Sequence, residues 1–211
     1  MILAIETSSK NCSVSFGHPG NCLFTKEMAS TEYVHNEMLH VFIYEAMHEM
    51  QIQPKDLSAI AVGLGPGSYT GLRIGMAAAK GFAHPLKIPL MGIDAATILK
   101  NSVHSNLEKV IVIDARRMDA FVHMNNTWSF QTLTPDFRES LGVTSLHFIG
   151  DGADKMRGLI KNGDEISNVL PSSKQMFAAL KEIPPFDMNF LNIEPLYLKE
   201  FEVHTTPKSK L

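Results

Sequence analysis

Long apolar runs are missing from this sequence, and so is a surplus of either charge. Its 211 residues carry 22 acidic side chains against 19 Lys or Arg, a net charge of −3. Such a balance supplies no basic stripe of the kind that tracks phosphates, so direct nucleic-acid binding by this chain alone is not expected. No window approaches the ~18 consecutive apolar residues of a membrane span, and Met1–Ile5 is too short for the apolar region of a signal peptide. Cysteine is scarce. Cys12 and Cys22 are too few for a disulfide framework and fit free thiols in a reducing, cytoplasmic setting.

Two chemical signatures are missing as well. His35, His40 and His48 crowd one stretch, yet an H-x-x-x-H pair would need histidine at 39 or 44, where Leu39 and Tyr44 stand. His48-Glu49 opens an H-E-x-x-H that ends in Ile52, so no metal ligand set is formed and the metallopeptidase reading has nothing to stand on. A Walker loop needs Gly-Lys-Ser/Thr, which does not occur. The dinucleotide pattern G-x-G-x-x-G needs glycine at 68 or 70 and meets Ser68 and Thr70. No catalytic residue is assigned.

What the chain does have is Gly63-Leu-Gly-Pro-Gly-Ser-Tyr-Thr-Gly-Leu-Arg-Ile-Gly75, preceded by the apolar run Leu57–Val62, which reads as a buried strand. Five glycines and a proline in one short stretch mark a built turn, where φ > 0 or close backbone approach is required. Ser68 or Thr70 is placed to cap the helix that follows, up to Gly81 and Pro85. Within it Gly71, Gly75 and Ala79 recur at i, i+4 and i+8, a smooth ridge onto which another helix, or the chain's own sheet, packs closely. Upstream, a helix over 31–51 with Ser30 or Thr31 as its cap puts Leu39, Phe42, Ile43, Ala46 and Met50 on one face. Val34, Met38 and Val41 fall on a second face, which makes the apolar arc broader than one sheet needs. These three residues and the ridge are the candidate partner surface.

The remaining segments read as β-rich. Ile2–Glu6, Ser13–Gly17 and Cys22–Glu27 form a meander, and Ile88–Ile93 is a strand before the cap Asp94. The polar stretch Asn101–Asn106 divides the chain into an N-terminal lobe, 1–104, and a C-terminal lobe, 105–211, whose last helix packs back on the first. Lys109–Ala115, a hairpin around Asn125-Asn126 and Leu146–Gly150 open the second lobe, and Gly150-Asp151-Gly152-Ala153 reads as a helix start with its Asp at the positive end. A helix over 172–182, the break at Pro184-Pro185 and a polar tail after Val203 complete the chain.

The string GLGPGSYTGLRIG, with ILAIETSSKNCSVSF at the N-terminus, resembles the TsaB (YeaZ) family of bacterial tRNA-modification proteins. Asp114-Ala115-Arg116-Arg117-Met118, Gly150-Asp151-Gly152-Ala153 and Pro195-Leu196-Tyr197-Leu198-Lys199 resemble that family's later motifs in the same order. Departures are Glu6, where the fold's first phosphate loop often has Asp, Ala120 and Phe121 in place of Val and Tyr, and His40 in place of proline. The resemblance implies an α/β, two-lobed actin/Hsp70-like (ASKHA) fold with mixed sheets flanked by helices. It implies no catalysis of its own, activation of a TsaD-like subunit that transfers threonylcarbamoyl to adenosine 37 of tRNA (t6A), a TsaE-like ATPase in a larger complex, and a homodimer when alone. It leaves room for ATP or ADP at or near the partner interface, with Thr7, Ser8, Gly150, Asp151 and Gly152 as nucleotide contacts. The competing readings are an ASKHA-type small-molecule kinase or ATPase and, remotely, a glycoprotease-like metallopeptidase.

Overall fold

The computed structural model describes residues 1–31, 34–181 and 192–198. The first half contains β1 (Ile2–Glu6), β2 (Asn11–His18), β3 (Asn21–Ala29), α1 (His35–Glu49), β4 (Ala59–Gly65), α2 (Tyr69–Leu86), β5 (Leu90–Asp94) and α3 (Ala95–Lys100). The second contains β6 (Glu108–Asp114), β7 (Asp119–Met124), β8 (Thr127–Thr132), α4 (Phe137–Ser140), β9 (Leu146–Ile149), β10 (Glu165–Ser167) and α5 (Ser173–Ala179). Each half builds one mixed five-stranded sheet, in the orders β3-β2-β1-β4-β5 and β8-β7-β6-β9-β10. In both, three strands form an antiparallel meander and the first of them pairs in parallel with the fourth, which pairs in parallel with the fifth. The two halves therefore share one topology, the two-lobed actin/Hsp70-like plan.

The central strands are buried on both faces, and their side chains sort by the two-residue period of a strand. Leu3, Ile5, Ile60 and Val62 face α1 and α2, whose Leu39, Phe42, Ile43, Ala46, Met76 and Ala79 complete that core. Ile2, Ala4, Ala59 and Ala61 point the other way. The three alanines leave room for Met176, Phe177 and Leu180 of α5, a helix from the second half. Reciprocally Ala95, Ala96 and Leu99 of α3 pack on Ile111, Ile113, Phe121 and Ile149 of the second sheet. The halves thus exchange their last helices, and α3 and α5 lie against one another between the sheets.

Several local expectations change. The first helix starts at His35 with Val34 before it and no side-chain cap, so neither Ser30 nor Thr31 caps it. Strand β4 runs on through Gly63 to Gly65, because Gly63 is small enough to lie under the Glu6 carboxyl: a Cβ there would sit 2.0 Å from Glu6 Oε2. Helix α2 passes Gly81 and Pro85 and ends at Lys87, which takes the left-handed conformation (φ 53°). After β9 there is no helix start at Gly150, only a 3₁₀ turn, Ala153–Met156. Ser68, Asp94 and the Asn125-Asn126 turn stand as read: Ser68 accepts from Gly71 N–H, Asp94 from Ala96 and Thr97 N–H, and both asparagines have positive φ. Pro184-Pro185 and the tail after Val203 lie outside the described residues.

Candidate functional site: the first turn, the glycine loop and the outer face of two helices

The C-terminal ends of β1 and β4 meet the start of α2, and the protein's own backbone fills that junction. Thr7 Oγ1 donates to the Gly71 carbonyl at 2.8 Å, and Ser68 N–H donates to the Ser8 carbonyl at 2.6 Å. A Cβ on Gly67 would stand 2.2 Å from Ser8 O, one on Gly71 2.0 Å from Thr7 O, and one on Gly75 2.3 Å from Thr7 Oγ1. Here the glycines are explained by contact: only residues without side chains let the loop and α2 lie directly on the first turn. Thr7 and Ser8 are buried beneath them, their hydroxyls enclosed.

The small-residue ridge is corrected by the same geometry. Gly71, Gly75 and Ala79 are all buried, Ala79 completely, against β1 and the first turn, so they cannot meet a partner. The ridge serves the chain's own sheet because Thr7 occupies the space above its glycines. Val34, just before α1, and Met38 are half-buried, Met38 packing on the core, and of the three candidates only Val41 stands out to solvent, at 41% exposure.

Sequence reasoning missed a second small face on the same helix. Ala77 and Gly81 are exposed, and with Ile74, Ala78, Phe82, Asn36 and His40 they line a groove of about 470 Å³ between α1 and α2. A Cβ on Gly81 would meet nothing within 4 Å among the described residues. A glycine inside a helix costs about 1 kcal/mol relative to alanine, and among the described residues no contact offsets it. Tyr44, 71% exposed, and Val41 continue the apolar surface along α1. The sequence signal was present in the i, i+4 spacing of Ala77 and Gly81, but a run of three alanines hides which side faces out.

Acidic groups gather at the strand ends. Glu6 is fully buried; Ser8 N–H donates to its Oε1 at 2.6 Å, and Oε2 has no partner among the described residues. Burial pushes its carboxyl above the ordinary glutamate value against the hydrogen bonds from Ser8, and the charge of Asp151 adds to the rise. Asp151 Oδ1 accepts from Asp114 N–H at 2.9 Å, and enclosure of its carboxyl raises it from 3.8 to about 6. The aspartate thus ties the Gly150–Gly152 turn to β6 rather than capping a helix. Gly150 (φ 129°) and Gly152 lie against Val112 O, where a Cβ would come within 2.3 and 3.0 Å. Asp114 in turn holds Lys155 Nζ at 2.5 Å and accepts from Arg116 N–H at 2.8 Å. Arg116 and Arg117 form an exposed turn with both φ positive, 72° and 47°.

The three histidines of the first helical region do not converge. His35 is buried with Nε2 2.8 Å from the Ser9 carbonyl, whereas His40 and His48 are exposed. Among the described residues no three His, Cys, Asp or Glu side chains gather as a metal site, and no helix is long and apolar enough to cross a membrane.

A family model described as TsaD, tRNA N6-adenosine threonylcarbamoyltransferase, matches residues 27–183. The tRNA threonylcarbamoyladenosine biosynthesis protein TsaB of Escherichia coli is 26% identical over 94% of this chain and 94% of its own. The chain belongs to the TsaB/YeaZ family, which is TsaD-related. TsaB of Haemophilus influenzae is 28% identical over 67% of this chain, and TsaB of Bacillus subtilis 32% identical over 55%. In those two alignments the chain spans about half the relative's length, 57% and 51%. YeaZ from Pseudomonas aeruginosa superposes with a TM-score of 0.72 at 21% identity, covering 93% of this chain and 99% of that one, which shows a shared fold for this TsaB-like chain.

Proposed function

We propose that this TsaB-family chain is a non-catalytic subunit that activates a TsaD-like transferase for threonylcarbamoyl transfer to adenosine 37 of tRNA, within an assembly that includes a TsaE-like ATPase. The observation that carries the reading is the filled junction: where a kinase of this fold would cradle phosphates, Gly67 and Gly71 lie on the Ser8 and Thr7 carbonyls. A phosphoryl-transfer enzyme needs open phosphate loops and a placed base. The likeness to E. coli TsaB along nearly the whole chain supports the same assignment. The partner face is the outward side of α1 and α2, around Val41, Ala77 and Gly81, and the same face serves a homodimer when the chain is alone. ATP or ADP, if bound, belongs at or near that interface rather than at Thr7 and Ser8. Direct tRNA contact is left to the partner, in keeping with the net charge of −3.

Reconstitution tests this. With the transferase subunit, the ATPase subunit, threonylcarbamoyl donor and tRNA present, omission of this chain abolishes t6A measured by mass spectrometry of digested tRNA. Full modification without the chain overturns the activator role. The isolated chain hydrolyses ATP at background; appreciable turnover by it alone favours the kinase or ATPase reading instead.

A further inference from the structure

At the N-terminal end of the outward α2 face, Arg73 lies between two tyrosines. Its guanidinium carbon is 3.9 Å from the centroid of Tyr69 and 6.0 Å from that of Tyr197, and Nε donates to Tyr197 Oη at 3.4 Å. The two rings stand 5.1 Å apart at 48°. Tyr197 reaches α2 from far along the chain and is fixed by its own backbone: Leu196 N–H donates to the Leu64 carbonyl at 2.9 Å, Ile193 packs on the α1–α2 core and Leu198 on the core under α3. All three side chains of the cluster remain exposed.

Arg138, Lys26, Lys155 and Lys174 each hold a carboxylate, but none lies within ion-pair distance of Arg73 among the described residues. Tyrosine stacking limits the rotamer freedom of the guanidinium, and its planar fork matches a carboxylate. Tyr and Arg are also the residues that dominate binding energy where interfaces are well packed. One and two turns further along α2, exposed Ala77 and Gly81 let another backbone come close. The geometry points to Arg73, held by Tyr69 and Tyr197, as the anchor for an acidic side chain on the partner protein that covers the α1–α2 face. This rests on the partner reading above. A protein carboxylate is favoured over an RNA phosphate because phosphate tracking needs several cations in line, and the face continues from Arg73 with Ala77 and Gly81.

The test is the affinity of the purified full chain for its cognate TsaD-like subunit, measured by calorimetry at 50 and 500 mM NaCl. Arg73→Ala weakens binding at least tenfold at the lower salt and by a smaller factor at the higher, Arg73→Lys restores only part of it, and Tyr197→Phe costs a few-fold. Gly81→Leu, which fills the groove, abolishes binding at both. Because Arg73 is exposed, melting of its variants stays within a few degrees of the parent; should Arg73→Ala fail to fold, Arg73→Gln is read in its place. Loss of binding in Gly81→Leu with parental affinity in Arg73→Ala overturns the anchor and leaves the partner face standing. Parental affinity in both variants, or no binding by the parent, overturns the face as well. If Arg73→Ala instead lowers affinity for a tRNA transcript and spares the protein partner, the ligand is RNA phosphate and the proposal fails.

Discussion

The two halves share a strand order, yet they differ in what they place between the strands. The first sheet is crossed by α1, 15 residues long, and α2, 18 residues long. At the matching points the second sheet has α4, a single turn of 4 residues, and the 3₁₀ turn Ala153–Met156. Long helices give the first half an outer wall with a groove in it. The second half, lacking that wall, closes its outer face with Phe137, Met156 and Ala153 and fastens the connections by polar clamps. Chief among these is buried Arg138, which donates from Nε and Nη2 to Asp164 at 2.6 and 2.7 Å and from its terminal nitrogens to the Val143 and Thr144 carbonyls. One plan thus yields a half that presents a surface and a half that is braced from within.

Four substitutions bear on that contrast. Arg138→Leu leaves Asp164 buried without its cation, and breaking a buried pair in this way costs about 3–5 kcal/mol; chemical denaturation shows a large loss, and a loss under 1 kcal/mol would mean the clamp is dispensable. The Asp164 carboxyl, held down at about 2 mainly by Arg138 against the opposing effect of its burial, keeps its stabilising contribution above the ordinary aspartate range and loses it as pH falls through about 2. Asp151 has the opposite sign. Its folded value of about 6 exceeds 3.8, so its favourable contribution is complete below the unfolded value and is lost as pH rises through about 6, a swing of at most about 3 kcal/mol. Asp151→Asn therefore raises stability at pH 8 relative to the parent and has little effect at pH 4; equal gains at both pH values would remove the carboxyl from the explanation.

The other two lie on one helix. Gly71→Ala drives a Cβ toward Thr7 O and destabilises by about 1–3 kcal/mol, as overpacking does. Gly81→Ala meets nothing among the described residues and stabilises the isolated chain by about 1 kcal/mol through helix propensity. Thermal melts of the pair give opposite shifts; shifts of the same sign would show that the two faces of α2 are not distinct.

The strands and the two long helices were legible because Leu3, Ile5, Ile60 and Val62, or Leu39, Phe42, Ile43 and Ala46, carry their own periodicity. What stayed hidden depends on contacts distant in sequence. The strand character of Gly63 follows from Glu6 beneath it, and Asp151 is a brace rather than a cap because β6 runs beside it. Strand β10, only Glu165-Ile166-Ser167, and the turn α4 are too short to hold a pattern. The orientation of α2 was ambiguous for a simpler reason: Ala77, Ala78 and Ala79 do not differ enough to say which faces the core and which faces out. Tyr197 belongs in sequence to a terminal motif, and nothing in its neighbours announces the stack with Tyr69 and Arg73.

The exchange of α3 and α5 has a consequence for how the molecule divides. Each sheet has its inner face sealed by a helix encoded on the other side of Asn101–Asn106, so neither half is a unit that could be excised and expected to fold. Expressed separately, 1–104 and 105–211 each leave an apolar face open; expressed together, they are two complementary fragments whose association rebuilds both cores. A split at this point would turn folding into a bimolecular event, with a midpoint that climbs with concentration.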